Sequence, residues 1–174
     1  MRVFLFDTNM WGYWWDAERY PEEHRNIRKH LNELPADAKI GISLITWGEI
    51  SVGLEEDAQG RASVQVRHLQ FIKGKNPWVA DISKHTAEEY GKLRGRLRDN
   101  VLKRKKGLRA KELVDRFTWL ELGSRENDLW IAAQAITNNL TLVTNDELKE
   151  IHEAAGEDLH TENWAKSPDS ATRS

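Results

Sequence analysis

Four acidic residues lie just after predicted strands or at the start of predicted helices. Asp7 and Asp146 come after apolar runs of the sequence, and Glu49 lies in the first turn after another run. Asp128 begins a small apolar helix. Because the carboxyl ends of parallel strands meet at one edge of a sheet, we expect the four carboxylates to project from the same edge.

Carboxylates in such a group repel one another and raise each other's pKa unless a cation is present. Hard oxygen ligands, without cysteine or a histidine ligand pattern, favour Mg²⁺ or Mn²⁺. Such an ion lowers the pKa of a bound water and polarises a phosphoryl group. The residue types therefore indicate metal-assisted hydrolysis of a phosphodiester.

Each acid also has an ordinary structural explanation when it is taken alone. Glu49 completes a capping box with Thr46, and Asp128 complements the dipole of the helix that it begins. Asp146 lies in a turn before a helix, where Asp is common, and Asp7 could belong to a simple strand-to-helix turn. The combination of the four residues, rather than any one of them, indicates a site.

Strands that alternate with helices must position these acids. Apolar runs predict strands at about residues 2–6, 39–45, 78–82 and 140–143, with an edge strand at 159–164. Helical patterns lie between them, including a long basic helix that Thr86 and Glu89 open as a capping box. The alternation predicts an α/β fold, a three-layer α/β/α sandwich around a mainly parallel sheet of four to five strands. We expect one domain over residues 1–164 and a flexible tail at 165–174.

Composition excludes several classes of protein. The chain has 174 residues, no Cys and a formal net charge of −2. Without cysteine there are no disulfides, thiolate metal sites or cysteine nucleophiles. No apolar run approaches the roughly 20 residues of a membrane-spanning helix, and the first run is too short for a signal peptide. We therefore expect a cytoplasmic protein that does not bind membranes.

Positive charge is concentrated in one segment. Residues 92–111 contain ten basic residues and one acid, Asp99, and we treat residues 92–125 as a basic helical insertion. Four consecutive cations cannot share one face of a helix, so some of them must point to solvent or to a polyanion. A long helix with a solvated charged face is the alternative.

The sequence contains four blocks in order, at Asp7–Asn9, Glu49, Asn127–Asp128 and Thr144–Asp146. Taken together, they resemble the PIN-domain ribonucleases and, among them, the VapC-like toxins. The first block is Asp7–Asn9 after an apolar strand, and the second places Glu49 early in the helix after the second strand. The third is Asn127–Asp128 before an alanine-rich helix, and the fourth is a strand followed by Thr144–Asp146. The blocks occur in the family's order over about residues 1–164.

The resemblance implies a metal-dependent endoribonuclease that cleaves single-stranded RNA and acts as the toxin of a toxin–antitoxin pair. It implies a homodimer and a cognate antitoxin protein, with Mg²⁺ or Mn²⁺ as the cofactor. The implied metal ligands and catalytic residues are Asp7, Glu49, Asp128 and Asp146. The residues implied to orient them are Thr8, Asn9 and Thr144. The basic residues that we then expect to contact RNA are Lys103, Arg104, Lys105 and Lys106. The number of ions and the acid that serves as base stay open.

Three other functions are weighed against this one. An aspartyl phosphatase of the haloacid dehalogenase type needs a second Asp two residues after the first, where this chain has Asn9. A non-catalytic RNA-binding module on the same fold is disfavoured because all four acids are present. A PIN nuclease of RNA processing that is not a toxin is the remaining alternative.

Aromatic residues are concentrated just after the first acid. The segment contains Trp11, Tyr13, Trp14 and Trp15. This is more aromatic surface than a short segment readily buries alone, so we expect it to contribute to a homodimer interface. A second small core under the first helix is the alternative. Packing in the core or at a dimer interface is expected for Trp47, Trp78 and Trp164.

Overall fold

A computed structural model describes residues 2–55, 62–104 and 126–167 of the chain. Five strands form one sheet in the order β3-β2-β1-β4-β5, and every neighbouring pair is parallel. The strands are β1 (Val3–Phe6), β2 (Lys39–Ser43), β3 (Trp78–Ala80), β4 (Thr141–Val143) and β5 (His160–Glu162). The predicted parallel sheet is confirmed, and the last strand does lie at an edge.

Helices fill the connections between these strands. In the described part of the chain they are α1 (Thr8–Trp15), α2 (Pro21–Glu33), α3 (Leu44–Glu55), α4 (Ala62–Gly74), α5 (Lys84–Arg104), α6 (Glu126–Thr137) and α7 (Lys149–Ala155). None of the helices in the described ranges is long and apolar enough to span a membrane.

The central strand β1 shows why the molecule has three layers. Its side chains alternate, so Val3 and Leu5 belong to one hydrophobic cluster while Phe4 and Phe6 belong to another. The first cluster also contains buried residues of α5, α6 and α7, and the second contains those of α1, α2, α3 and α4. A strand that is apolar on both faces therefore lies between two helical layers, as the sequence predicts.

The aromatic segment after β1 forms the core of one layer. Trp11 and Trp14 are 0% and 8% exposed, and their rings stack with centroids 5.3 Å apart. Phe6 packs edge-on against both rings. The prediction that this segment supplies a dimer interface is wrong for these two tryptophans, because β1 and α1 bury them together. Tyr13 and Trp15 remain partly exposed.

The three tryptophans expected to pack in the core or at a dimer interface are buried to different degrees. Trp164 is 1% exposed and lies against the rings of Phe4 and Phe6. Trp47 and Trp78 are partly buried at the margins of the two clusters.

Helix α3 begins earlier than the sequence indicates. The Ser43 hydroxyl accepts a hydrogen bond from the Ile45 backbone N–H at 2.9 Å, so the helix starts directly after β2. Thr46 is buried inside the first turn, and the predicted capping box of Thr46 and Glu49 is wrong. A hydroxyl at the very end of the strand satisfies the free N–H groups first, which releases Glu49 for other contacts.

Helix α5 also begins earlier than the sequence indicates. The Ser83 hydroxyl accepts from the Thr86 N–H at 3.1 Å, and the Thr86 hydroxyl accepts from the Ser83 N–H at 3.3 Å. The reciprocal box therefore pairs these two residues, and the predicted pairing of Thr86 with Glu89 is wrong. Glu89 instead forms an ion pair with Lys92 at 2.9 Å.

The basic segment is helical as far as Arg104. Residues 105–125, which include Lys105 and Lys106, lie outside the described residues, as do residues 168–174 of the expected tail. The domain boundaries and the extent of the insertion therefore stay predictions.

Candidate metal-dependent active site

Asp7 lies at the carboxyl end of the central strand and is held from two sides. Its backbone N–H donates to the Val143 carbonyl at 3.1 Å, which fastens it to the neighbouring strand β4. Its Oδ1 accepts from the Met10 backbone N–H at 2.7 Å, so the carboxylate is also the N-cap of α1. Asp7 is only 9% exposed. The sequence places an acid here because a short polar side chain must end the strand and begin the helix.

The surroundings of Asp7 disfavour its charge. The pKa of Asp7 is raised from 3.8 to about 7. Burial is the largest cause and the charges of Asp146 and Asp128 add to it, whereas hydrogen bonds from Thr144 and from the Met10 N–H act in the opposite direction. Two of the other predicted acids therefore act electrostatically on the first one. An acid with such a pKa is half protonated near neutral pH unless a cation compensates its charge.

Glu49 is oriented by both of its carboxylate oxygens. Its Oε2 accepts a hydrogen bond from the Thr8 hydroxyl, and its Oε1 accepts from Asn127 Nδ2 at 2.7 Å. Thr8 begins α1 and Asn127 lies in the first turn of α6, so Glu49 connects the starts of two helices. The predicted orienting role of Thr8 thus has a contact that could perform it.

Asp146 lies after β4 and is exposed. Its Oδ2 accepts from Asn9 Nδ2 at 3.3 Å, and its backbone N–H donates to the Thr144 hydroxyl at 3.0 Å. Asn9 and Thr144, both predicted to orient the acids, are therefore in contact with Asp146. Asp128 is partly buried in the first turn of α6. All four predicted acids thus lie around the carboxyl end of the sheet.

Two residues of this edge were not predicted as site residues. Asn127 holds Glu49, and the Asn-Asp pair in the sequence is the signal that could have identified it. Gln134 is completely buried, bonds to the Ser43 hydroxyl, and donates to the Ala80 carbonyl at 2.9 Å. It joins α6 to the ends of β2 and β3, and a polar residue in an otherwise apolar helix is its only sequence signal.

The donor chemistry of this edge fits a divalent cation, although the carboxylates do not converge. Among the residues that the structure describes, no three His, Asp or Glu side chains lie close enough together to hold a metal ion. The acids are instead engaged by Thr8, Asn9 and Asn127. The fit rests on the hard oxygen donors and on the raised pKa of Asp7, which a nearby cation would lower.

The predicted RNA contacts are only partly described. Lys103 is exposed near the end of α5. Arg104 ends that helix, and the remaining two residues lie outside the described ranges.

A groove of about 1100 Å³ lies at the opposite, amino-terminal end of the sheet. Its lining includes Arg2, Asp37, Asn138, His160 and Glu162. The charged residues that line the groove include both signs and lie in solvent. The buried acid at the other end is the stronger indication of chemistry.

A model of the PIN domain family matches residues 4–156 of the chain. The chain is also 29% identical over 169 residues to Ribonuclease VapC2 of Rickettsia felis, an alignment that covers 94% of this chain and 99% of that protein.

Two solved structures share the fold. The chain resembles VapBC2 from Rickettsia felis bound to a DNA fragment from their promoter, with a TM-score of 0.62, 26% identity, and coverage of 93% of this chain and 98% of the other. It resembles VapBC-1 from nontypeable Haemophilus influenzae with a TM-score of 0.63, 21% identity, and coverage of 94% and 99%.

Proposed function

We propose, because the chain belongs to the PIN-domain family, that it is a metal-dependent endoribonuclease and the toxin of a toxin–antitoxin pair. The observation that carries the chemistry is the buried carboxyl of Asp7 at the end of the central strand, with its pKa raised to about 7 beside two further acids. The likeness to a ribonuclease over nearly the whole chain supports RNA as the substrate.

The four acids would hold Mg²⁺ or Mn²⁺, which when bound activates water and polarises the reacting phosphodiester. Thr8 and Asn127 hold the Glu49 carboxylate, and Asn9 holds that of Asp146, so two ligands are oriented before the ion arrives. With such an ion bound, Asp7 would be held in its charged form, because a nearby cation favours the carboxylate over the protonated acid.

Cleavage of a single-stranded RNA with Mg²⁺, with Mn²⁺ and with a chelator tests this proposal. We expect cleavage with either metal and none with the chelator, and the Asp7→Asn chain serves as the inactive control. Hydrolysis of a small aryl phosphate without RNA cleavage would instead favour a phosphatase.

An antitoxin protein is the proposed partner, since the solved relatives carry VapBC in their names, and a peptide of that partner would block the acidic edge. Co-expression with a candidate antitoxin should suppress cleavage. A homodimer also remains part of the proposal, although Trp11 and Trp14 do not support it because both are buried in the core. Sedimentation across the micromolar range tests it, and a monomer throughout would reject it.

The basic residues at positions 103–106 are proposed to contact the RNA backbone. Each phosphate contact contributes about 0.7 to the log–log slope of affinity against salt for a single strand. Changing all four to Ala should therefore flatten that slope and raise KM while kcat changes little. An unchanged slope and affinity would remove these residues from the RNA-binding surface.

A further inference from the structure

An aromatic pair stands beside the acidic edge and largely outside the hydrophobic core. The rings of Tyr90, on α5, and Trp130, on α6, stack with their centroids 3.9 Å apart and their planes inclined by 10°. Both residues keep part of their surface exposed. Tyr90 contacts the margin of one hydrophobic cluster, whereas Trp130 belongs to neither cluster of the described residues.

The aromatic pair and the proposed site share helix α6, which carries Trp130 of the pair and Asn127 of the site. Trp130 follows Asn127 by three positions, so the two are neighbours on the helix surface, and Asn127 donates to Glu49 at 2.7 Å. Glu126, four positions before Trp130, accepts from the Tyr90 hydroxyl at 3.2 Å. Both contacts start from the first turn of α6, so the aromatic pair and the residue that holds Glu49 belong to the same end of this helix.

A cation accompanies the pair. Burial raises the pKa of Tyr90 and the charge of Glu126 raises it further, whereas Arg94 acts in the opposite direction, so both charged groups lie near the phenol. Arg94 is one helical turn beyond Tyr90 on α5.

Packing of α5 against α6 does not require this pair. Leu93, Leu97 and Leu129 are at most 1% exposed and already join the two helices inside one cluster. A tryptophan that served only this packing would be expected in the same cluster. Its partly exposed position beside a cation is instead typical of surfaces on which unpaired bases stack.

We propose that the Tyr90–Trp130 pair binds one unpaired base of the RNA substrate by stacking. This inference rests on the proposed function and adds a base-binding subsite to it. Stacking on an aromatic ring tolerates any base, because every base presents a π-face. A base held here would bind the RNA beside the first turn of α6, the turn that carries Asn127 and Asp128.

The test uses the full chain with Asp7→Asn, which prevents cleavage, and short single-stranded RNAs with 2-aminopurine at successive positions. Stacking quenches the fluorescence of this base, so we expect strong quenching at one position. In the Asp7→Asn/Trp130→Leu chain the quenching at that position should disappear and affinity should fall about tenfold. Trp130→Phe should retain part of both effects.

Trp15→Leu is the matched control. Trp15 is also partly buried and also stacked, on the ring of His68 at 4.7 Å and 16°, but it lies at the far end of α1. Its replacement should leave the quenching pattern unchanged. Tyr90→Leu provides a second, independent disruption of the pair and should act like Trp130→Leu.

Several outcomes would overturn the inference. One is that 2-aminopurine is quenched at no position of the RNA. Another is that quenching is the same with and without Trp130. A third is that Trp15→Leu lowers RNA affinity as much as Trp130→Leu does. The inference would also be rejected if Trp130→Leu lost antitoxin binding but kept RNA binding, because the aromatic pair would then bind the protein partner. If the unsubstituted chain cleaves RNA, these results reject the subsite alone; if it neither binds nor cleaves RNA, the proposed function fails as well.

Discussion

The two ends of the parallel sheet carry polar groups of opposite character. At the amino-terminal end, Arg2 precedes β1 and forms an exposed ion pair of 2.7 Å with Glu162, the last residue of the edge strand β5. At the carboxyl-terminal end, Asp7 is buried and the charges of Asp128 and Asp146 oppose its ionisation. One end therefore pairs unlike charges in solvent, and the other gathers like charges around a buried carboxyl.

The charges at the two ends differ in how they affect the stability of the folded state. An exposed ion pair contributes at most about 1 kcal/mol, so its residues are free to vary with little effect. A buried acid with a raised pKa lowers the stability of the folded state when it ionises. A fold keeps such a cost where a ligand removes it, and this supports the proposal that the site lies at the carboxyl end.

Replacing Asp7 should have the largest effect. Asp7→Asn removes a metal ligand and should lower kcat for RNA cleavage by about a thousandfold or more. The fold should persist, because Asn can accept the same N-cap hydrogen bond from Met10. Cleavage assays and circular dichroism measure the two effects. Asp37→Asn, the same change beside the groove, is the control, and comparable losses in both chains would abolish the distinction between the two ends.

The pH dependence of stability should show the buried charge directly. Without metal, Asp7 binds its proton more tightly in the folded chain, so its contribution to stability is lost as pH rises from about 4 to about 7. The loss is up to about 4 kcal/mol, and Mg²⁺ should restore stability at high pH. Urea denaturation in the presence of a chelator measures the free energy of unfolding.

His68 complicates that measurement, because burial lowers its pKa and gives stability the opposite pH dependence. The informative quantity is therefore the difference between the parent chain and Asp7→Asn, in which the His68 contribution cancels. If the difference in unfolding free energy between the two chains does not change with pH, the pKa of Asp7 is not raised in the folded state.

Removing the contact to Glu49 should have a smaller effect on activity. Asn127→Ala deprives Glu49 Oε1 of its donor, and loss of such an orienting contact typically costs 10–100-fold in activity or metal affinity. Asn138→Ala is the matched change at the groove end of α6, where the amide donates to the Gln134 carbonyl at 2.8 Å. Metal titrations and cleavage rates of the two chains should differ; if they agree, Asn127 does not orient a ligand.

The smallest effect is expected at the surface ion pair. Arg2→Ala should change the free energy of unfolding by less than about 1 kcal/mol and leave cleavage unaltered, since solvent and salt screen the pair. Thermal unfolding at low and high salt measures it. A large loss of activity would mean that the groove, rather than the acidic edge alone, takes part in the reaction.

Much of the fold could be predicted because its signals are local. Every predicted strand is present, since short apolar runs separated by helical periodicity leave few other arrangements. Helix starts were less accurate: Ser43 and Ser83 displaced Thr46 and Thr86, because the hydroxyl nearest the preceding strand or turn caps the helix. The sequence contains both possible capping residues at each helix start, and its pattern alone does not show which of the two caps the helix.

The acids could be predicted as a group, but their individual environments could not. Asp7, Glu49, Asp128 and Asp146 follow from the ends of strands and the starts of helices. The donation from Asn127 to Glu49 joins residues 78 positions apart, and no local pattern encodes it.

By itself, the sequence determined the strand–helix alternation, the four acids and the basic segment, because each depends on residue type and short-range spacing. Only the tertiary structure decided that Trp11 and Trp14 are core while Trp130 stands outside it. The same aromatic side chain is buried or exposed according to what the rest of the chain packs against it. Tertiary packing also decided that Asp7 is buried enough to raise its pKa to about 7, because desolvation depends on all the surrounding atoms and not on the residue alone.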